Sequence, residues 1–197
     1  MKHLGPGFDL GAESGEDTGA STDALQAQLS AVRDRLKESE VAIESAQWCE
    51  LALQESRLLV NLDEGAQAWH SAQRRFEQFC AGGLWAQAAE ATRVMFQSGE
   101  PDALVALGHA VWLAVTFPVD PELSVALLQD IVDETPDDSD GAAVAAATAA
   151  YVVDLRAQGN KRESLSFFAN QLLGTVARRH SGIEKQEDFE QWIQRLE

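Results

Sequence analysis

Apolar residues recur every three or four positions along almost the whole chain from Leu25 onward, the spacing of helices that bury one side. Leu25, Leu29, Val32, Leu36, Ser39 and Ile43 make a heptad seam with one polar position. The seam then shifts phase and continues as Trp48, Leu51, Leu58 and Leu62, and no Pro or Gly interrupts Thr22 to Glu64. This predicts one long helix from a Thr22-Asp23 start, or two helices joined by a slight break near Trp48. Leu62, Ala66, Trp69, Phe76 and Cys80 predict a further helix, ended by Gly82-Gly83. From Leu84 to Gln97 another aligns Trp85, Ala88, Ala89, Thr92, Met95 and Phe96.

The punctuation then becomes regular. Gly99-Glu100-Pro101 opens a strongly apolar helix, with proline in the first turn. Asp120-Pro121-Glu122 opens the next in the same way, the acids suiting a helix N-terminus. Thr135-Pro136-Asp137-Asp138 separates it from an Ala-rich helix, Gly141 to Arg156, and Gly159-Asn160 makes the next turn. Leu165, Phe168, Leu172 and Val176 are expected to face inward on the helix closed by Ser181-Gly182. Phe189, Trp192, Ile193 and Leu196 stripe the last, a stripe still running at Glu197, as in a chain that continued. Period-two alternation never persists, so no strand is predicted.

The expected fold is therefore all-α: antiparallel helix hairpins stacked as a repeat-like bundle, behind a long N-terminal helix. Residues 1–21, rich in Gly, Glu, Asp and Ser, are expected to form a mobile tail. Residues 22–83 make the long helix and a second helix, and 84–197 the repeat-like domain. Helix starts near 84, 101, 121, 141 and 161 give a hairpin unit of about forty residues. Within it, Leu104, Leu107, Gly108 and Val111, followed by Ser124, Leu128, Ile131 and Pro136, resemble the tetratricopeptide repeat, with extra residues at 117–120. The resemblance spans residues 101–136 most clearly and implies stacked helix pairs with a groove for peptides or partner helices. An ordinary helical bundle accommodates the same pattern.

Charge sharpens the functional picture. Fifteen basic against 32 acidic side chains give a formal charge of −17. That surface repels phosphate backbones and anionic headgroups, so neither nucleic acid nor membrane is an expected partner. The longest nearly apolar run, Ala103 to Phe117, is too short to span a bilayer. No Lys or Arg occurs between Arg93 and Arg156. That stretch carries Glu100, Asp102, Asp120, Glu122, Asp130, Asp133, Glu134, Asp137, Asp138, Asp140 and Asp154, about two thirds of the net charge. Such a block suits a protein client with a basic segment, with Asp120, Glu122, Asp130, Asp133, Glu134, Asp137, Asp138 and Asp140 as contacts. As a solvated, helix-capping surface it would only aid solubility.

Other constellations are weaker. Asp137-Asp138-Ser139-Asp140-Gly141 has the look of a calcium loop, but alignment on Gly141 puts Pro136 first and Ala147 twelfth, where an acid and a Glu are needed. Cys49, Cys80 and His70 lack metal-ligand spacing, and His109, in the most apolar helix, reads as a core histidine. Trp48, Trp69, Trp85, Trp112 and Trp192 all fall on apolar stripes, with Trp48 and Trp192 the expected exceptions that anchor a partner. Arg178-Arg179-His180 complements the carbonyl end of a helix. Leu25, Leu29, Val32, Leu36 and Ile43 need a cover, which the bundle of the same chain or a second copy, as a coiled coil, could supply.

The sequence thus points to a cytoplasmic, non-enzymatic adaptor or chaperone without a cofactor, holding a protein client, possible homodimer included. Alternatives are a self-associating assembly subunit and a small cofactor-binding bundle.

Overall fold

The computed structural model describes residues 15–38, 45–181 and 186–194. Among them it places nine helices and no strand: α1 (Gly15–Glu38), α2 (Ala46–Asn61), α3 (Gly65–Ala81), α4 (Trp85–Gln97), α5 (Ala103–Thr116), α6 (Pro121–Glu134), α7 (Asp140–Arg156), α8 (Gly159–Ser181) and α9 (Gln186–Gln194). The all-α class follows. Helix boundaries after residue 84 lie close to those the punctuation predicts, with Asp120 capping α6 and Pro121 in its first turn.

The N-terminal half differs from expectation in three ways. First, α1 already runs at Gly15, upstream of the Thr22-Asp23 start, while residues 1–14 lie outside the described part. Once a helix is nucleated, each added residue costs little, so the packed turns around Leu29 can carry it outward. Second, α1 and α2 form an antiparallel hairpin rather than one long rod. Arg33 of α1 reaches Glu55 of α2 at 3.1 Å, and Ser45 caps α2 by accepting the Trp48 N–H at 3.2 Å. Folding back buries Leu29 and Val32 against Leu51, Leu58, Leu59 and Ala68. Each large side chain so covered contributes about 1.5–3 kcal/mol. Third, α3 is rotated from the predicted face. Leu62 caps α2, Ala66 is exposed, and Ala68, Ser71, Ala72 and Phe79 are buried. The small residues let helices approach closely enough for the Ser56 hydroxyl to donate to Ser71 at 2.9 Å.

Packing runs mainly between helices adjacent in sequence and, among alternate ones, between α2 and α4 and between α6 and α8. Alternate helices are also linked by specific contacts, which sort α2–α8 into two layers. In the even layer, Arg57 of α2 pairs with Glu90 of α4, and Arg93 of α4 with Asp130 of α6 at 2.9 Å. Lys161 of α8 holds Asp120 and Glu122 at the start of α6, at 2.9 and 3.0 Å. Arg179 near the end of α8 donates to the Val132 carbonyl and the Thr135 hydroxyl at the end of α6. That cation thus serves the carbonyl end of the neighbouring α6 rather than of its own helix.

In the odd layer, Gly65 at the start of α3 lies so close to the turn before α5 that a Cβ would sit 2.4 Å from the Ser98 carbonyl oxygen. Phe76 of α3 stacks on His109 of α5, ring centroids 6.4 Å apart. Arg156 at the end of α7 donates to the Ala114 and Val115 carbonyls at the end of α5, both at 2.7 Å. The start of α3 thus lies beside the start of α5, and the end of α7 beside the end of α5. The core between the layers is largely alanine, valine and leucine, including Ala110, Ala114, Leu127, Val132, Ala146 and Val153.

Candidate partner-binding face

Helix α5 is apolar nearly all round, and only part of it is buried. Ala106, Leu107, Ala110, Leu113 and Ala114 face the even layer. Leu104, Val105 and Trp112 project the other way, with Trp112 56% exposed. Helix α7 divides in the same manner. Ala142, Ala145, Ala146 and Ala149 pack inward, at i, i+3, i+4 and i+7. Val144, Tyr151 and Leu155, all large, stand in solvent, with Tyr151 63% exposed. The small residues bring α7 close to its neighbours and send the bulk outward. Arg156 ties the ends of α5 and α7 together, and Val111 and Val115 of α5 pack against the cluster that holds Ala142, Ala146 and Ala149 of α7, so the two outward stripes are neighbours. At one end Trp112 meets the Phe117 ring edge-on at 5.7 Å, and Phe117 stacks on Trp85 at 4.0 Å. These exposed side chains are the candidate for an interaction surface.

The acidic residues singled out in the sequence separate into two groups. Asp120, Glu122 and Asp130 are engaged within the chain, by Lys161 and Arg93 as described. Partial burial opposes ionisation of Asp120, yet hydrogen bonds from Lys161 and the Glu122 backbone hold its carboxyl below the usual aspartate range. The Asp120 and Glu122 carboxylates in turn raise the Lys161 ammonium above its ordinary value. Asp133, Glu134, Asp138 and Asp140 are exposed, and Asp137 stands 3.8 Å from Arg179 with most of its side chain in water. Glu100 and Asp102 precede α5, and Asp137, Asp138 and Asp140 surround the start of α7, so these five acids gather at one end of the odd layer.

Several expected site residues fall elsewhere. Trp48 is buried to 8% exposure beneath the Arg75 guanidinium, which sits 4.9 Å above its ring, and so is no exposed anchor. Its position on the inner side of the α1–α2 hairpin explains this. The Trp192 side chain lies outside the described part. Of the proposed self-association seam, Leu29 and Val32 are buried, Leu25 and Leu36 pack partly against the same cluster, and Ile43 lies outside the described residues. The seam's cover comes from α2 and α3 of the same chain, which removes the stated need for a second copy there. His109 is exposed and stacked rather than a core histidine, and Phe168 is 37% exposed while Ala169 and Leu173 take the inner positions of α8.

The chemistry-bearing side chains stay apart. Cys49 is buried, and burial pushes the half-buried Cys80 thiol above its ordinary value. Among the described residues no three His, Cys, Asp or Glu side chains are grouped to hold a metal ion, and no helix is long and apolar enough to cross a membrane.

Compared with known proteins, the chain gives no match to a family model, a curated protein or a solved structure.

Proposed function

We propose that this protein is a non-enzymatic, cytoplasmic adaptor or chaperone that holds a client polypeptide against the outward face of α5 and α7. One observation carries the reading: of the eight large apolar side chains exposed among the described residues, six, Leu104, Val105, Trp112, Val144, Tyr151 and Leu155, lie on α5 and α7. Leaving them in water has no benefit to the folded chain, whereas covering them would contribute on the order of 10 kcal/mol gross. Association itself costs roughly 4–15 kcal/mol, so these six side chains alone leave at most a modest surplus, which suits reversible holding. The tetratricopeptide-like spacing of residues 101–136 supports the reading, because alternate helices of such a stack present a common binding face. Acidic residues at the α5 and α7 N-termini add preference for a client with a basic segment.

The experiment is photo-crosslinking in the native cell, with the crosslinking amino acid at Tyr151 on the odd layer or at Asp133 on the even-numbered α6. Adducts from Tyr151 and not from Asp133 are expected. Adducts from Asp133 alone, or from neither position, would remove this face as the client site.

A further inference from the structure

Gly108 lies in the middle of the solvent-facing side of α5, and a Cβ built there meets nothing within 4 Å. No contact inside the chain therefore requires glycine. A glycine in a helix interior costs about 0.5–1 kcal/mol relative to alanine. What it supplies at this place is depth, a low point between Leu104–Val105 on one side and Trp112 on the other. Beside it, Val144, Thr148, Tyr151 and Leu155 follow one another at i, i+4, i+7 and i+11 on α7, a straight ridge along that helix. A notch flanked by apolar ridges suits the close approach of a third helix.

Charge is uneven along the same face. At the C-terminal end of α5 and α7, Arg156 covers the last carbonyls of α5, and Asp154 holds Arg162. At the N-terminal end, Glu100, Asp102, Asp137 and Asp138 collect in a stretch of sequence without a single Lys or Arg. Arg179 is near, at 3.8 Å from Asp137.

We infer that the occupant is an amphipathic helical segment of another polypeptide, its apolar side along α5 and α7 with a small residue over Gly108, and its Lys/Arg-rich end over the N-termini of those two helices. This rests on the α5–α7 face being the client site, and adds the form, charge and direction of what it takes. The apolar ridges supply the attraction and the acids set the direction, since a basic end placed over Arg156 would meet a cation.

The test uses the full chain and two synthetic peptides of about eighteen residues, the length of α7. Both carry leucine and alanine on one side and neutral polar residues on the other; one ends in a run of lysines, the other in a run of glutamates. By fluorescence anisotropy, the lysine peptide binds at least about tenfold tighter at low salt, and the gap narrows as salt screens the ends. A nitroxide on its lysine end broadens the amides of Asp102 and Asp138 and spares Leu155. Gly108→Leu weakens binding of the lysine peptide about tenfold while the melting temperature holds or rises. Equal affinity for the two peptides, or an unaltered affinity of the folded Gly108→Leu variant, overturns the inference and leaves the apolar face standing. Failure of both peptides to bind removes the face itself, and the inference with it. A dimer in light scattering that Leu155→Ser abolishes would make a second copy the occupant and overturn the proposal equally.

Discussion

The two layers of this molecule put their charges to different use. On the even side, cations reach from one helix to the next but one: Arg57 to Glu90, Arg93 to Asp130, Lys161 to Asp120 and Glu122. On the odd side, α5 and α7 carry one such link, Arg156, and it points at backbone carbonyls near the helix ends. Between the ends stand Trp112, Val144, Tyr151 and Leu155, in water. The even layer ties its own helices together, although Phe167 and Phe168 of α8 are exposed there as well. The odd layer carries the larger set of exposed apolar side chains, and the proposed client site lies there.

The comparison can be broken within one helix. Leu107 is 0% exposed and Leu104 59% exposed, although they lie one turn apart on α5. Leu107→Ala should cost about 2–5 kcal/mol in denaturant unfolding, whereas Leu104→Ala should stay within about 0.5 kcal/mol and instead lower client capture. Equal stability losses would show that Leu104 belongs to the core. A second blow falls on the α3–α5 contact: Gly65→Ala, despite better helix propensity, should destabilise by about 1–3 kcal/mol, because the new methyl would force the Ser98 backbone aside. Thermal melting checks it. A stabilised variant would mean the helices are farther apart than the stack requires.

Smaller effects sharpen the even layer. A double-mutant cycle on Arg93 and Asp130, whose side chains are partly covered, should give a coupling of about 0.5–1 kcal/mol. A coupling of zero would reduce that link to a surface accident. The smallest expected effect is the acid response of Asp120. Its folded carboxyl is held low by Lys161 and the Glu122 N–H against some burial. Its contribution is therefore complete above about pH 4, the unfolded aspartate range, and is lost as acid titrates the folded group. In an NMR titration, Lys161→Met should move the Asp120 midpoint upward. An unmoved midpoint would mean the clip does not form in solution.

Much of the fold was legible in the sequence because periodicity and helix punctuation are local. Asp120-Pro121, Gly82-Gly83 and Thr135-Pro136-Asp137-Asp138 before the Ala-rich run mark boundaries that the structure keeps. The α1–α2 hairpin was not legible, since a heptad seam looks the same whether its cover comes from a second copy or from Leu51, Leu58 and Leu59 of the same chain. Nor was the rotation of α3, where alanine carries little weight in a hydrophobic stripe yet marks the closest helix approach. The candidate face was half visible. In α7 the inward positions are alanines and the outward ones Val144, Tyr151 and Leu155, so bulk at i, i+7 and i+11 opposite a small-residue stripe was the signal available. Attention to acidic counts missed it, because Asp120, Glu122 and Asp130 turn out to serve α8 and α4.

The central claim is that the odd-layer face, rather than the even-layer surface, holds the client. It is tested most directly by affinity capture from the native cell, comparing the natural chain with a Val144→Thr, Tyr151→Ser, Leu155→Ser variant, with melting curves of both. The expected result is loss of the co-purifying proteins at an unchanged melting temperature, because these side chains contribute little to the core. Recovery of the same proteins in the same amounts by the folded variant would contradict the account.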